Sequence, residues 1–141
     1  MLQNSQGFYG FSRVALNPAV FDFDMFDHLT MGEKDLQLEV IGLFRLQVEQ
    51  TLDLIETVII SKDWVALCHT LRGAAASVGA TAIVAQLQDW ETAKVPDENA
   101  RQRNHERLAS LATQYFADVQ RVLQPAGAKA RATVTDLFSK G

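Results

Sequence analysis

The clearest pattern in the chain is a run of apolar residues at steps of one, three and four between residues 33 and 61, a stretch without proline and with Gly42 as its only glycine. Such spacing places apolar side chains along one face of an amphipathic helix. The stripe consists of Val40, Ile41, Phe44, Val48, Leu52, Ile55 and Ile59. We therefore predict a long helix over residues 33–61, with Glu33 and Asp35 in the first turn, where the helix dipole favours negative charge.

Similar spacing, interrupted by glycines and prolines, predicts four more helices. Each is bounded by a capping residue, a glycine or a proline: residues 21–29 before Gly32, Asp63 to Gly79, Thr81 to about residue 94, and Asp97 to about residue 124 before Pro125. Short connections between substantial helices favour antiparallel neighbours. We predict an all-α fold, an antiparallel up-and-down four-helix bundle with a short additional N-terminal helix. Its parts are an arm (1–18), the bundle (19–124) and a C-terminal tail (125–141).

Composition narrows the class of protein. The formal net charge of −4 argues against nucleic acid as the main partner, because binding a phosphate backbone needs a basic patch. No stretch approaches the roughly 20 apolar residues of a membrane span, and residues 1–7 lack the basic start and apolar run of a secretory signal. The single cysteine, Cys68, excludes an internal disulfide. We expect a cytoplasmic protein, monomeric by default, that binds neither nucleic acid nor membrane.

The candidate chemistry centres on His69, in the second of the long predicted helices. Counting by three and four places it on one face with the residues Lys62, Val65, Ala66, Arg72, Gly73 and Ala76. The apolar stripe of this helix falls on the other side, so we predict that His69 points to solvent. Small neighbours would let the active site of another protein reach the imidazole, and Arg72 could offset the charge of a phosphoryl group. A glycine inside a helix lowers helix stability by about 1 kcal/mol relative to alanine. Access to His69 is one explanation for a glycine at position 73.

Residue types and spacing alone leave other interpretations open. An exposed histidine on a helix is usually an ordinary surface residue, and a helical glycine often marks close packing or a kink. Arg72 could equally be a solvated charge and Glu91 a surface carboxylate. A metal-binding bundle is disfavoured because His28, His69 and His105 are far apart and no Glu-x-x-His pair accompanies them. We predict no metal site.

Residues 69–75, His-Thr-Leu-Arg-Gly-Ala-Ala, closely resemble the His-x-Leu-Lys/Arg-Gly-Ser/Ala-Ala signature of histidine phosphotransfer (HPt) domains. The similarity continues through residues 78–80 to Leu87 and Glu91. Upstream, the positions similar to the family's opening helix and the start of its first long helix are Phe23, Asp24, Leu29, Gly32, Asp35, Leu36, Leu43 and Phe44. It covers about residues 21–94, whereas the last helix matches only as a generic amphipathic segment. Cys68 stands where the family commonly has alanine, and we expect it to be half-buried and inert.

The resemblance implies a phosphocarrier. In that family His69 would accept a phosphoryl group on Nε2, Glu91 would bond the other ring nitrogen, and Arg72 would be the basic residue. The implied docking surface consists of Lys62, Val65, Ala66, Gly73 and Ala76, with Met25 and Phe26 of the short helix as further candidates. The implied partners are response-regulator receiver domains and a hybrid histidine kinase. The receiver would supply Mg²⁺, and this chain would need no cofactor of its own.

Two rival functions remain. The chain has no glycine-rich nucleotide loop, so we expect neither an enzyme nor a histidine kinase; in kinases, moreover, an acidic residue rather than Thr70 would follow the histidine. The main alternative is a helical-bundle interaction module that binds a receiver or kinase without phosphotransfer. In that case His69→Gln would keep the partner and the activity.

Overall fold

The computed structural model describes residues 17–123, which form five α-helices and no strand. The helices are α1 (Phe23–Leu29), α2 (Lys34–Ile55), α3 (Ser61–Ser77), α4 (Thr81–Glu91) and α5 (Glu98–Leu123). The all-α prediction is therefore confirmed for this part of the chain. Residues 1–16 of the predicted arm and the whole predicted tail lie outside the described residues.

The four longer helices pack around one apolar core. Helix α3 contacts α2 and, more extensively, α4, while α5 contacts both α2 and α4. The fully buried side chains come from all four of these helices and from the N-terminal segment: Phe21, Phe26, Ile41, Ile55, Trp64, Leu71, Ile83, Leu87, Leu108, Tyr115 and Val119. Burying one large apolar side chain contributes about 1.5–3 kcal/mol, so this cluster is the main source of the fold's stability.

Helix α2 ends earlier than its apolar pattern predicts. It stops at Ile55, and residues 56–60 connect it to α3. Val58 is buried in this connection, whereas Ile59 is 70% exposed and does not continue the stripe. The segment from Thr57 to Ile60 is β-branched throughout, and such residues lose side-chain freedom in a helix. The predicted helix to residue 61 was wrong over its last turn.

Two of the three predicted N-terminal caps, Asp63 and Thr81, do not cap their helices. Asp97 behaves as predicted, because its Oδ1 accepts a hydrogen bond from the Ala100 amide at 2.8 Å. Helix α3, however, begins at Ser61, which leaves Asp63 in the first turn rather than at the cap. Thr81 is the first residue of α4, and its hydroxyl donates to the Pro18 carbonyl at 2.6 Å instead of capping the helix. Helix α4 ends at Glu91, short of residue 94.

The turn after α3 is held from several sides. Gly79 has a φ of +71°, and the Ala80 amide donates to the Ala75 carbonyl at 2.9 Å, as in a Schellman motif. The Asp22 amide donates to the Gly79 carbonyl at 2.8 Å, and the Tyr115 hydroxyl donates to the Val78 carbonyl at 2.7 Å. These bonds tie the end of α3 to the N-terminal segment and to α5.

Candidate functional site

His69 lies in the middle of α3 on the side away from the core. Its side chain is 67% exposed. The inward face of the same helix carries Trp64, Cys68, Leu71 and Ala75, all buried. Because residues three and four apart share a helix face, packing of that stripe orients His69 toward solvent.

Two charged side chains meet at one nitrogen of the His69 ring. Glu91, at the last position of α4, places Oε2 3.1 Å from Nδ1. Arg72, one turn along α3, places Nη2 3.1 Å from the same Nδ1. The Nε of Arg72 also donates to Glu91 Oε1 at 2.9 Å. The three side chains therefore form a closed cluster on the Nδ1 side of the ring.

A pair of tryptophans fixes the helices that carry this cluster. The indole Nε1 of Trp64 donates to the carbonyl of Trp90 at 2.8 Å, and the two ring centroids are 5.8 Å apart. Both side chains are buried, and Trp90 immediately precedes Glu91. The bond joins α3 to the end of α4, so it holds the Glu91 backbone at a set distance from His69. Local residue patterns could not predict this bond, because its partners are 26 residues apart in the chain.

The Glu91 carboxyl is ionised at neutral pH. Hydrogen bonding from Arg72 lowers its pKa most; partial burial raises it, and the bond with His69 lowers it further. An ionised carboxylate only accepts hydrogen bonds. Its natural partner is therefore the Nδ1–H form of the imidazole, in which Nε2 carries the lone pair and can act as a nucleophile.

The face around His69 carries small side chains. Lys62, Val65, Ala66, Gly73 and Ala76 are all exposed on α3. Apart from its chain neighbours and the adjacent backbone of α3, a Cβ added at Gly73 would meet no atom of residues 17–123 within 4 Å, so packing inside this part of the fold does not explain the glycine. These five of the predicted docking residues are thus exposed on the helix that carries His69. Their role in docking stays a prediction.

Two residues near the site differ from expectation. Phe26 is 0% exposed and packs against Phe21, with the ring centroids 6.0 Å apart, so its predicted part in docking was wrong; it faces the core of the fold. Met25 is half-buried. Cys68 is 1% exposed rather than half-buried, and burial raises the pKa of its thiol to about 12. The thiol therefore stays protonated and unreactive at neutral pH.

The Arg72 guanidinium does not lie where the predicted offset of phosphoryl charge would place it. Its guanidinium bonds Glu91 and approaches Nδ1, not the Nε2 side of the ring where a phosphoryl group would be carried. Sequence spacing identified Arg72 as a neighbour of His69 but could not reveal the pair with Glu91, since 19 residues separate the partners. The predicted offset of phosphoryl charge stays a prediction.

We also searched residues 17–123 for metal-binding clusters and membrane-spanning helices. Between residues 17 and 123, no group of three or more His, Cys, Asp or Glu side chains is arranged to hold a metal ion. None of the helices over the same residues is long and apolar enough to cross a membrane. His105 has Glu56 as its partner, at 3.6 Å from Nε2 to Oε2.

Within residues 17–123, a helical fold presents an exposed histidine with a carboxylate at Nδ1 and no hydrogen bond at Nε2, an arrangement suited to carrying a group on imidazole. A family model described as the Hpt domain matches residues 39–124, which is more than half of the chain, and the chain therefore belongs to the Hpt domain family. Members of this family take part in histidine phosphotransfer in two-component relays, with receiver domains and kinases as partners, and are phosphocarriers rather than conventional enzymes. Searches of curated proteins and of solved structures returned no match.

Proposed function

We propose that this protein accepts a phosphoryl group on His69 from the aspartyl phosphate of one receiver domain and passes it to a second receiver. The observation that carries the proposal is the exposure of the imidazole, 67% for the side chain, together with the Glu91 carboxylate 3.1 Å from Nδ1. A nucleophile that serves another protein must be reachable from outside and held in the correct tautomer. The His69 environment supports both requirements.

The transfer is a displacement at phosphorus. The Nε2 lone pair of His69 forms the N–P bond while the bond between phosphorus and the aspartyl oxygen breaks, and its electron pair returns to the aspartate carboxylate. The Nδ1–H bond to Glu91 stabilises the positive charge that develops on the ring. The receiver supplies Mg²⁺ and the charge stabilisation at phosphorus. The reverse displacement loads the second receiver.

The proposed domain is residues 19–124, folded as an antiparallel up-and-down four-helix bundle with α1 as the additional short helix. The cyclic contacts of α2 with α3, α3 with α4, α4 with α5 and α5 with α2 support this arrangement. We further propose a cytoplasmic monomer. The single, buried cysteine, Cys68, is consistent with that compartment, where disulfides are rare.

The proposed docking surface is the exposed face of α3: Lys62, Val65, Ala66, Gly73 and Ala76. Small side chains beside His69 leave room for the rim of a receiver's acidic pocket, and Lys62 adds a positive charge. A hybrid histidine kinase would provide the first phosphorylated receiver. Transient signalling interfaces are small, so we expect modest affinity and fast exchange.

The test is phosphotransfer from a panel of phosphorylated receiver domains. We expect acid-labile label on the wild-type protein and none on His69→Gln. His105→Gln, which removes a histidine from α5, is the matched control and should label normally. Label retained on His69→Gln, or no label from any receiver, contradicts the proposal. Unchanged signalling by His69→Gln in cells would favour the interaction module instead.

A further inference from the structure

We infer that Arg72 and Glu91 compete for Nδ1 of His69 and that Arg72 prolongs the lifetime of the phosphoryl group once it is bound. The inference rests on the proposed function, since it concerns the same histidine. It starts from an observation that simple positioning does not explain: an acceptor and a donor both lie 3.1 Å from one ring nitrogen.

The two contacts cannot both be hydrogen bonds of a neutral imidazole. Nδ1 carries either a proton or a lone pair. With a proton it donates to Glu91 and faces the N–H of Arg72 without bonding it. With a lone pair it accepts from Arg72 and faces the carboxylate without bonding it. Each side chain therefore favours a different protonation state at Nδ1.

Before phosphorylation, the Glu91 contact favours loading. A proton on Nδ1 leaves the lone pair on Nε2, which can attack phosphorus. The Arg72 contact favours the opposite tautomer, in which Nε2 holds the proton and cannot attack. Glu91 is thus expected to act as a positioning residue for accepting the group.

After phosphorylation, the protonation state of Nδ1 controls how easily the N–P bond breaks. A ring with phosphorus on Nε2 and a proton on Nδ1 is positively charged, and when the N–P bond breaks it leaves as neutral imidazole, a good leaving group. If the Nδ1 proton passes to water, the ring becomes neutral, and breaking the same bond would require an imidazolide anion to leave. The deprotonated form is therefore the slow, storing form. Its Nδ1 lone pair is an acceptor for Arg72 Nη2.

The position of Arg72 suits it to donate a hydrogen bond to a deprotonated Nδ1. Its Nε is held by Glu91 Oε1 at 2.9 Å, which fixes the planar guanidinium so that Nη2 lies beside the ring. Within residues 17–123 no other charged side chain bonds the imidazole. The remaining charged residues of α3 and of the helices packed on it are Lys34, Asp35, Glu39, Arg45, Glu49, Asp53, Lys62, Asp63 and Asp89. The hydrogen bonds and the ion pair of the ring involve only Glu91 and Arg72 among the described residues.

The experiment loads the full chain with phosphoramidate, a small phosphoryl donor that needs no partner protein, and follows decay of phosphohistidine by ³¹P NMR between pH 5 and 9. Arg72→Gln should shorten the half-life at neutral pH about tenfold, the effect of losing one hydrogen bond from a charged donor, and shift the decay profile to higher pH. Glu91→Gln should lengthen the half-life and shift the profile to lower pH. Arg72→Lys should restore part of the lifetime.

Two controls make the outcome decisive. Arg107→Gln makes the same chemical change on α5, where Arg107 bonds Gln86, and should leave the half-life unchanged. His69→Gln defines the background from other histidines. The inference is overturned if Arg72→Gln leaves the lifetime unchanged, or if the two site variants move it in the same direction. It is also overturned if ¹⁵N NMR of the wild-type phosphoprotein finds Nδ1 protonated at pH 8, a measurement that needs no variant to fold. Stable loading of His69 without transfer to any receiver would instead count against the proposed relay.

Discussion

Two glycines, Gly73 within α3 and Gly79 just after its end, differ in whether the fold requires them. Gly79 has a φ of +71°, and a Cβ there would lie 2.7 Å from the Asp22 carbonyl oxygen. Gly73, within α3, has room around it: apart from its chain neighbours and the adjacent helix backbone, no atom of the described residues lies within 4 Å of an added Cβ. The fold itself demands a glycine at position 79. Nothing in the described part of the fold demands one at position 73.

The difference separates a glycine that the fold explains from one that the described part of the fold leaves unexplained. Around Gly79 the polar groups are satisfied internally, by the Asp22 amide and the Tyr115 hydroxyl. Around Gly73 the helix carries an exposed histidine and small side chains, and a glycine that lowers helix stability by about 1 kcal/mol relative to alanine. The docking surface proposed above would explain Gly73 by access to His69 instead of by folding. Substitutions at the two positions test this distinction.

The largest effect on stability is expected from Gly79→Ala. The left-handed conformation costs a non-glycine residue about 1–3 kcal/mol, and the clash with Asp22 forces the backbone to shift as well. We expect the free energy of unfolding to fall by about 2–4 kcal/mol in a denaturant titration. An unchanged midpoint would show that the turn adapts and that the contrast between the glycines is smaller than the geometry indicates.

Gly73→Leu is expected to act on transfer instead of on folding. Its side chain would project from the face that bears His69 and occlude the approach of a receiver. We expect the transfer rate from a phosphorylated receiver to fall about tenfold or more, equivalent to a loss of about 1.4 kcal/mol in the transition state, with the unfolding midpoint unchanged or raised. Ala117→Leu, an equally bulky change at an exposed position of α5, is the control and should transfer normally. A wild-type rate for Gly73→Leu would remove access as the reason for this glycine.

Helix α2 illustrates how far apolar spacing predicts this fold. The repeat through Ile41, Phe44, Val48 and Ile55 gives the helix and its buried face correctly, because periodic burial is a property of the local sequence. Spacing gives no end point, however, since Ile59 continues the period yet lies in the connection to α3. The end coincides with the β-branched run from Thr57 to Ile60, a change of residue type that the apolar repeat does not register. The cap predicted at Thr81 was missed because its hydroxyl bonds the Pro18 carbonyl, which is 63 residues away in the chain.

At the site, the sequence was informative about faces and uninformative about contacts between helices. The i, i+3 and i+4 rule placed Arg72 and Gly73 beside His69 because all three lie on one helix. The Arg72–Glu91 ion pair and the Trp64–Trp90 bond join two helices, and no local rule specifies which residues meet there. Glu91 was found only through the family resemblance, and Phe26 was assigned to the surface because a seven-residue helix offers little periodicity to show its buried face.

The smallest and most discriminating change is Gly73→Ala. An alanine fits the open space around position 73 and has the higher helix propensity, so the free energy of unfolding should rise by about 0.5–1 kcal/mol. The sign is opposite to that of the same substitution at Gly79, six residues along the chain, although both replace glycine by alanine. Because one methyl group leaves most of the approach open, transfer from a receiver should slow by less than about threefold, well short of the leucine variant. Thermal unfolding and transfer kinetics on the two alanine variants measure both quantities. If Gly73→Ala destabilised the protein, an internal constraint on that glycine would replace the partner as its explanation.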